Sequence, residues 1–227
     1  MGVKMEKNVI IVLLLVLLVY YLSGKKKERP TFSQDNIVIY IDPGHGGPDG
    51  GASFNGVHEK DVVLEISFYL KSLFEANGFK CYLTRTGDYD LAPEISQNRK
   101  RDDLRARAKL INESDADIYL SIHANSFTSP KIYGSQTFYQ ADNLESRKLA
   151  TYILDSIKEN LKNTKRYPLA ITDKFLIDNV NKIGCFVEVG YLSNPNELQL
   201  LTNPEYQMKM AAAIYFGVLE YFNNRHL

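Results

Sequence analysis

The stretch Ile37-Val38-Ile39-Tyr40-Ile41-Asp42-Pro43-Gly44-His45-Gly46-Gly47 decides the architecture. Its first five residues form a β-branched run of the kind that fills a buried strand, and Asp42-Pro43-Gly44 stops that run in a tight loop. Downstream, Val62, Val63, Ile66, Leu70, Leu73 and Phe74 recur at helical spacing until Gly78, a natural helix stop, and residues 79–84 read as the next strand. Strand, helix and strand make a βαβ unit. The alternation continues with a charged helix carrying Leu104, Ala108 and Ile111, then strands at 118–122 and 135–139. A long helix carrying Leu149, Ile153, Ile157 and Leu161, a strand at 185–189 and an amphipathic helix at 206–222 follow. This order predicts an α/β fold with a largely parallel central sheet flanked by helices. Ligands in such folds gather at the carboxyl ends of the strands.

Composition bounds the rest. At 227 residues, 44% hydrophobic and 24% charged, the chain has room for a single catalytic domain, placed at 37–224, with an appendage. The 27 basic and 27 acidic residues cancel, so no global field recruits nucleic acid, and nucleic acid is excluded as a partner. Cys81 and Cys185 are far apart, form no CxxC or Cys/His cluster, and read as small buried hydrophobes in strand-like runs.

Residues 1–24 read as a targeting segment. Positions 9–22 are all apolar or tyrosine, with Lys4 and Lys7 before them and Lys25 to Lys27 after. That apolar core is short beside the roughly 20 residues of a spanning helix and suits a signal sequence or a thin anchor. Leu22 occupies the place where a cleavage site wants a small residue, which favours a retained membrane anchor. The basic run on its far side argues the other way under the positive-inside rule. The external location rests on the chemistry below. Lys25 stands where a lipoprotein box would have its cysteine, and 25–36 is a polar linker.

Three residues mark strand ends: His45 after the first strand, His123 at the end of 118–122, and Glu188 inside 185–189. Glu59 opens the first helix, where the chain returns to the same edge. Two imidazoles and one carboxylate form the set that holds a catalytic zinc ion while leaving a position for water. A lone histidine near a strand end is more often a satisfied polar residue. Around His45, however, Gly44, Gly46 and Gly47 permit the unusual backbone angles of a close ligand approach. Ser121 and Asn125 share the face of His123, so three polar side chains fall on one side of an otherwise apolar strand.

Glu188 lies between Val187 and Val189, and burying a carboxylate there costs several kcal/mol unless the group is paired or used. It suits a proton shuttle beside an activated water, the alternative being a salt bridge to Arg85 or Arg107. Those arginines either grip carboxylates of a peptide substrate or pair on a solvated face. Asp42 either orients His45 or caps the turn at Pro43-Gly44. His58 diverges from its neighbour Glu59 and His226 sits in the terminal tail; both are set aside.

With these residues in place, the chain resembles the zinc-dependent N-acetylmuramoyl-L-alanine amidases from residue 37 to about residue 222. The likeness is carried by 41–47, Glu59-Lys60-Asp61, Thr84-Arg85, Ser121-Ile122-His123-Ala124-Asn125 and Glu188-Val189-Gly190-Tyr191-Leu192-Ser193-Asn194. The resemblance implies His45, Glu59 and His123 as ligands of one Zn2+ ion and Glu188 as the catalytic residue. It leaves Asn125, Arg85, Arg107 and Asp42 as substrate-binding or supporting positions. It further implies hydrolysis of the amide between N-acetylmuramic acid and L-alanine in peptidoglycan, outside the cytoplasm. The N-terminal segment and the stretches Pro48-Asp49-Gly50-Gly51-Ala52 and Asp90-Leu91-Ala92-Pro93-Glu94 resemble the germination-specific amidases of endospore formers, which act on spore cortex. The competing readings are a silent peptidoglycan-binding domain and a different zinc hydrolase of the cell wall. The sequence carries no module for gripping glycan, which leaves substrate capture to the anchor or to an activating partner protein.

Overall fold

A computed structural model describes residues 36–225. The first strand, β1 (Val38–Pro43), is buried along its whole length. A two-strand hairpin, β2 (Ser53–Phe54) and β3 (Val57–His58), leads into helix α1 (Glu59–Ala76) and strand β4 (Lys80–Leu83). Helix α2 (Arg99–Glu113), strand β5 (Ile118–Asn125), strand β6 (Gln136–Gln140) and helix α3 (Leu144–Leu161) follow. The chain closes with β7 (Leu169–Ile171), α4 (Phe175–Asn179), β8 (Ile183–Tyr191), α5 (Pro195–Leu201) and α6 (Pro204–Asn224).

The strands form one sheet in the order β4-β1-β5-β8-β6-β7. The four strands from β4 to β8 run parallel, while β6 is antiparallel to β8 and carries β7 parallel beside it. The mixed α/β fold with a mostly parallel sheet matches the expectation. The reversal at β6 follows from a short β5–β6 connection, which has no helix to carry the chain back to the opposite edge. The hairpin, β7, α4 and α5 are too short for periodicity to announce them.

Side-chain alternation splits the core. Ile39, Ile41, Leu120, Ile122, Val187 and Val189 pack with α1, α3 and α6, and Val38, Tyr40 and Tyr119 pack with α2 and α4. Asp42, Ser121, His123 and Glu188 therefore share the second face at the carboxyl edge of the sheet. Cys81 and Cys185 are buried and free, as expected. Residues 1–35, with the targeting segment, and His226 lie outside the described residues. Among the described residues no helix is long and apolar enough to cross a membrane.

Candidate metal centre

Two loops made tight by glycine bring the three ligand candidates together. The Gly44 amide donates to Ile122 O at 3.0 Å, which presses the loop after β1 against β5. A Cβ on Gly44 would fall 2.2 Å from the His123 ring, so only glycine allows this approach. His45 itself adopts φ 61°, a left-handed conformation that a histidine holds only when its surroundings enforce it. Gly51, at φ +67°, lies so close that a Cβ would meet Glu59 Oε2 at 2.6 Å and His45 Cδ2 at 2.7 Å.

Glu59, the first residue of α1, sits between the two imidazoles. Its Oε1 is 2.8 Å from His123 Nδ1 and accepts the Ala124 amide at 3.0 Å. Its Oε2 is 3.2 Å from His45 Nε2 and accepts the Ala52 amide at 2.8 Å. One ligand atom from each of the three residues lies within 4.8 Å of the others, a spacing that could hold a metal ion. Burial alone would raise the Glu59 pKa, but hydrogen bonds and charge from His123 and His45 hold its carboxyl far below the usual range. Burial pulls the His123 pKa down despite Glu59, which favours the neutral imidazole that a metal requires. His123 stacks on Phe186, with ring centroids 4.0 Å apart, and this fixes the plane of its ring. A negatively charged carboxylate, a neutral imidazole and a second imidazole 5.0 Å away, ring to ring, fit a zinc ion by donor type.

Glu188 lies in register with His123 on the neighbouring strand and is 7% exposed. Its Oε2 is buried with no hydrogen-bond partner. Burial, then the charge of Glu59, raises its pKa to about 8 against the weak opposing pull of Lys174. The alternative, a salt bridge to Arg85 or Arg107, does not form, because both arginines are committed elsewhere. The folded protein therefore holds the Glu188 proton more tightly than the unfolded chain does. The residue costs the metal-free fold nothing below the ordinary carboxylate range and more as pH climbs through that range to about 8. In chelator, the melting temperature of Glu188→Gln relative to the parent is expected to rise between pH 5 and pH 9; a constant difference would mean that the carboxyl titrates normally.

Arg85 and Arg107 are each 1% exposed, so neither pairs on a solvated face, and both brace the loop that carries His45. Arg85 donates to the carbonyls of Pro43, Gly44, Lys60 and Gly87. Arg107 donates to the carbonyls of Pro43 and His45 and to the carboxylates of Asp42 and Asp103. The loop after β1 exposes carbonyls that no strand can satisfy, and buried guanidinium groups supply the donors. Asp42 neither orients His45 nor caps the turn. It accepts from Arg107 and Thr84 on one oxygen and from Ser121 on the other, and so ties β1 to β5 and α2.

The carboxylate nearest His45 is instead Asp49, whose Oδ2 lies 3.0 Å from His45 Nδ1 without hydrogen-bond alignment. Sequence reading passed over Asp49, although its spacing four residues beyond His45 in a glycine-rich loop was a usable signal. Asn125 ends β5 opposite Tyr191, beyond a register shift that follows His123, and its side chain accepts the Ser126 amide. His58 is exposed and stands apart from the cluster. Glu197 also escaped notice. It is 6% exposed and accepts the amides of Tyr191 and Gly134, so it clamps the end of β8 to the segment before β6.

Residues 39–220 match the N-acetylmuramoyl-L-alanine amidase family. The chain is 47% identical over 191 residues to the germination-specific N-acetylmuramoyl-L-alanine amidase of Bacillus subtilis, covering 83% of this chain and 81% of that one. Among solved structures it is similar to the CwlD amidase of Clostridioides difficile, determined in complex with the GerS lipoprotein. That likeness has a TM-score of 0.79 and 36% identity, over 82% of this chain and 98% of that one. An N-acetylmuramoyl-L-alanine amidase of Clostridium difficile 630 is similar with a TM-score of 0.75 and 29% identity, over 84% and 99% of the two chains.

Proposed function

The chain belongs to the N-acetylmuramoyl-L-alanine amidase family, and from that premise we propose that it is a zinc-dependent enzyme with Glu188 as its proton carrier. Its reaction is hydrolysis of the amide between N-acetylmuramic acid and the L-alanine of the stem peptide, and peptidoglycan is its substrate. His45, Glu59 and His123 would hold the ion. When bound, zinc polarises the scissile carbonyl and makes water a better nucleophile. Ala52 and Ala124 fix the Glu59 carboxylate, and Phe186 fixes the His123 ring, so both donors are set before metal arrives. In its ionised form Glu188 accepts a proton as water oxygen bonds to the carbonyl carbon. It then gives that proton to the departing nitrogen as the carbon–nitrogen bond breaks, leaving a lactyl carboxylate and a free L-alanine amine.

The observation that carries this reading is the buried, unpartnered carboxyl of Glu188 beside the cluster of two histidines and a glutamate. An ordinary core has no use for such a group. The likeness to the germination-specific relative supports action on spore cortex outside the cytoplasm. The relative solved with a lipoprotein supports a lipoprotein partner that aids substrate capture. Zinc dependence is tested by metal analysis of the purified chain from residue 25. One zinc per chain is expected, with peptide release abolished by chelator and restored by added zinc. Undiminished release from metal-free protein would overturn the proposal.

A further inference from the structure

The sheet edge that carries the metal centre also carries a concavity, near the starts of β6 and β7. Gln136 lies opposite Glu188 in the antiparallel β6–β8 pair, so the segments that precede β6 and β7 return to this same edge. A cavity of about 340 Å³ opens there, lined by Tyr133, Lys162, Asn163, Thr164, Lys165 and Arg166. Its lining holds three cations and no carboxylate. Glu197 lies nearby, but its carboxylate is buried and already accepts two backbone amides.

The walls are held in place by specific bonds. Gln136 Nε2 donates to Tyr167 O at 2.6 Å, which pins the basic loop to the residue opposite Glu188. Arg166 donates to Tyr133 O at 3.1 Å, and its guanidinium lies 5.3 Å from the centre of the Tyr191 ring. Asn163 donates to Ser135 Oγ at 2.8 Å and Tyr206 Oη at 3.0 Å, so the loop is anchored from below. Tyr191 in turn ends the strand that carries Glu188. The cavity wall is thus tied to the strand that carries Glu188 at two points, Gln136, which pairs with Glu188, and Tyr191, three residues beyond it.

We propose that this cavity is a subsite for the free carboxylates of the stem peptide, with Lys162, Lys165 and Arg166 as its recognition groups. The inference rests on the amidase reading above, which supplies a peptide leaving from beside Glu188. The glycan strand of N-acetylated sugars offers no charge to match three cations, whereas the stem peptide carries an acidic residue directly after its L-alanine. Charge-assisted pairing with carboxylates is what Lys and Arg at a cavity rim do best.

The test compares muropeptides whose glutamate carboxyl is free with the same muropeptides amidated there, using the zinc-loaded enzyme. The parent is expected to show a KM about tenfold lower for the free acid with similar kcat. Lys162→Gln and Lys165→Gln, both exposed and so harmless to folding, are expected to shrink that preference, and Arg166→Gln to shrink it further. Equal KM values for the two substrates in the parent, or an undiminished preference in all three variants, would overturn the subsite and leave the amidase reading intact. Absence of any peptide beginning with L-alanine from either substrate would instead remove the amidase reading and the subsite with it.

Discussion

Glu188→Gln is expected to lower kcat by between about 100-fold and 10,000-fold while the protein keeps its zinc and its fold. Glutamine retains the shape of the side chain but cannot accept a proton, so the loss isolates proton transfer from packing. The site makes this separation clean. Val187 and Val189 place their side chains in the opposite layer of the core, and Glu188 is spaced from the ligand cluster by a strand-to-strand register rather than by a direct bond. Steady-state kinetics and metal content measured on the same preparation decide the matter. A variant within tenfold of the parent would remove Glu188 from the proton path.

Glu59→Gln is expected to weaken zinc binding by more than about 100-fold, since loss of a ligand should exceed the 10- to 100-fold cost of losing a supporting partner. The carboxylate makes four contacts at once: it accepts two backbone amides and lies within 3.2 Å of both imidazoles. Glutamine keeps one accepting oxygen, so one buried amide loses its partner at a cost of about 1–3 kcal/mol. Competition with a chromophoric chelator reads the affinity, and thermal melting in excess chelator reads the stability. If affinity stayed within tenfold of the parent, Glu59 would not be a ligand.

How far the sequence disclosed this arrangement depended on the range of the signal. The βαβ beginning and the strand-end residues of the site were legible because hydrophobic runs fix where strands end, and strand ends in a parallel sheet fall on one edge. That rule brought His45, His123 and Glu188 to one edge, while Glu59, at the start of a helix, was singled out as the carboxylate ligand by the family resemblance, and the structure places it between the two imidazoles. Arg85, Arg107 and Asp42 could be left only as substrate-binding or supporting positions, because nothing in a local pattern distinguishes an arginine on a wet helix face from one buried under a loop that lacks donors. Their roles emerge only when the carbonyls of Pro43, Gly44 and His45 are counted and found to need partners. The reversal of β6 was hidden for a similar reason, since strand direction there depends on connection length and not on composition. Asp49 and Glu197 act across loops, where charge alone says little.

The central claim is that this chain cuts the bond between N-acetylmuramic acid and L-alanine with Glu188 beside a bound zinc ion. Its most direct test is mass analysis with amino-terminal labelling of products from purified peptidoglycan digested by the zinc-loaded parent and by Glu188→Gln. The account predicts peptides that begin with L-alanine from the parent, and loss of nearly all of them in the variant. Equal release by both proteins, or products cut at another bond, would contradict it.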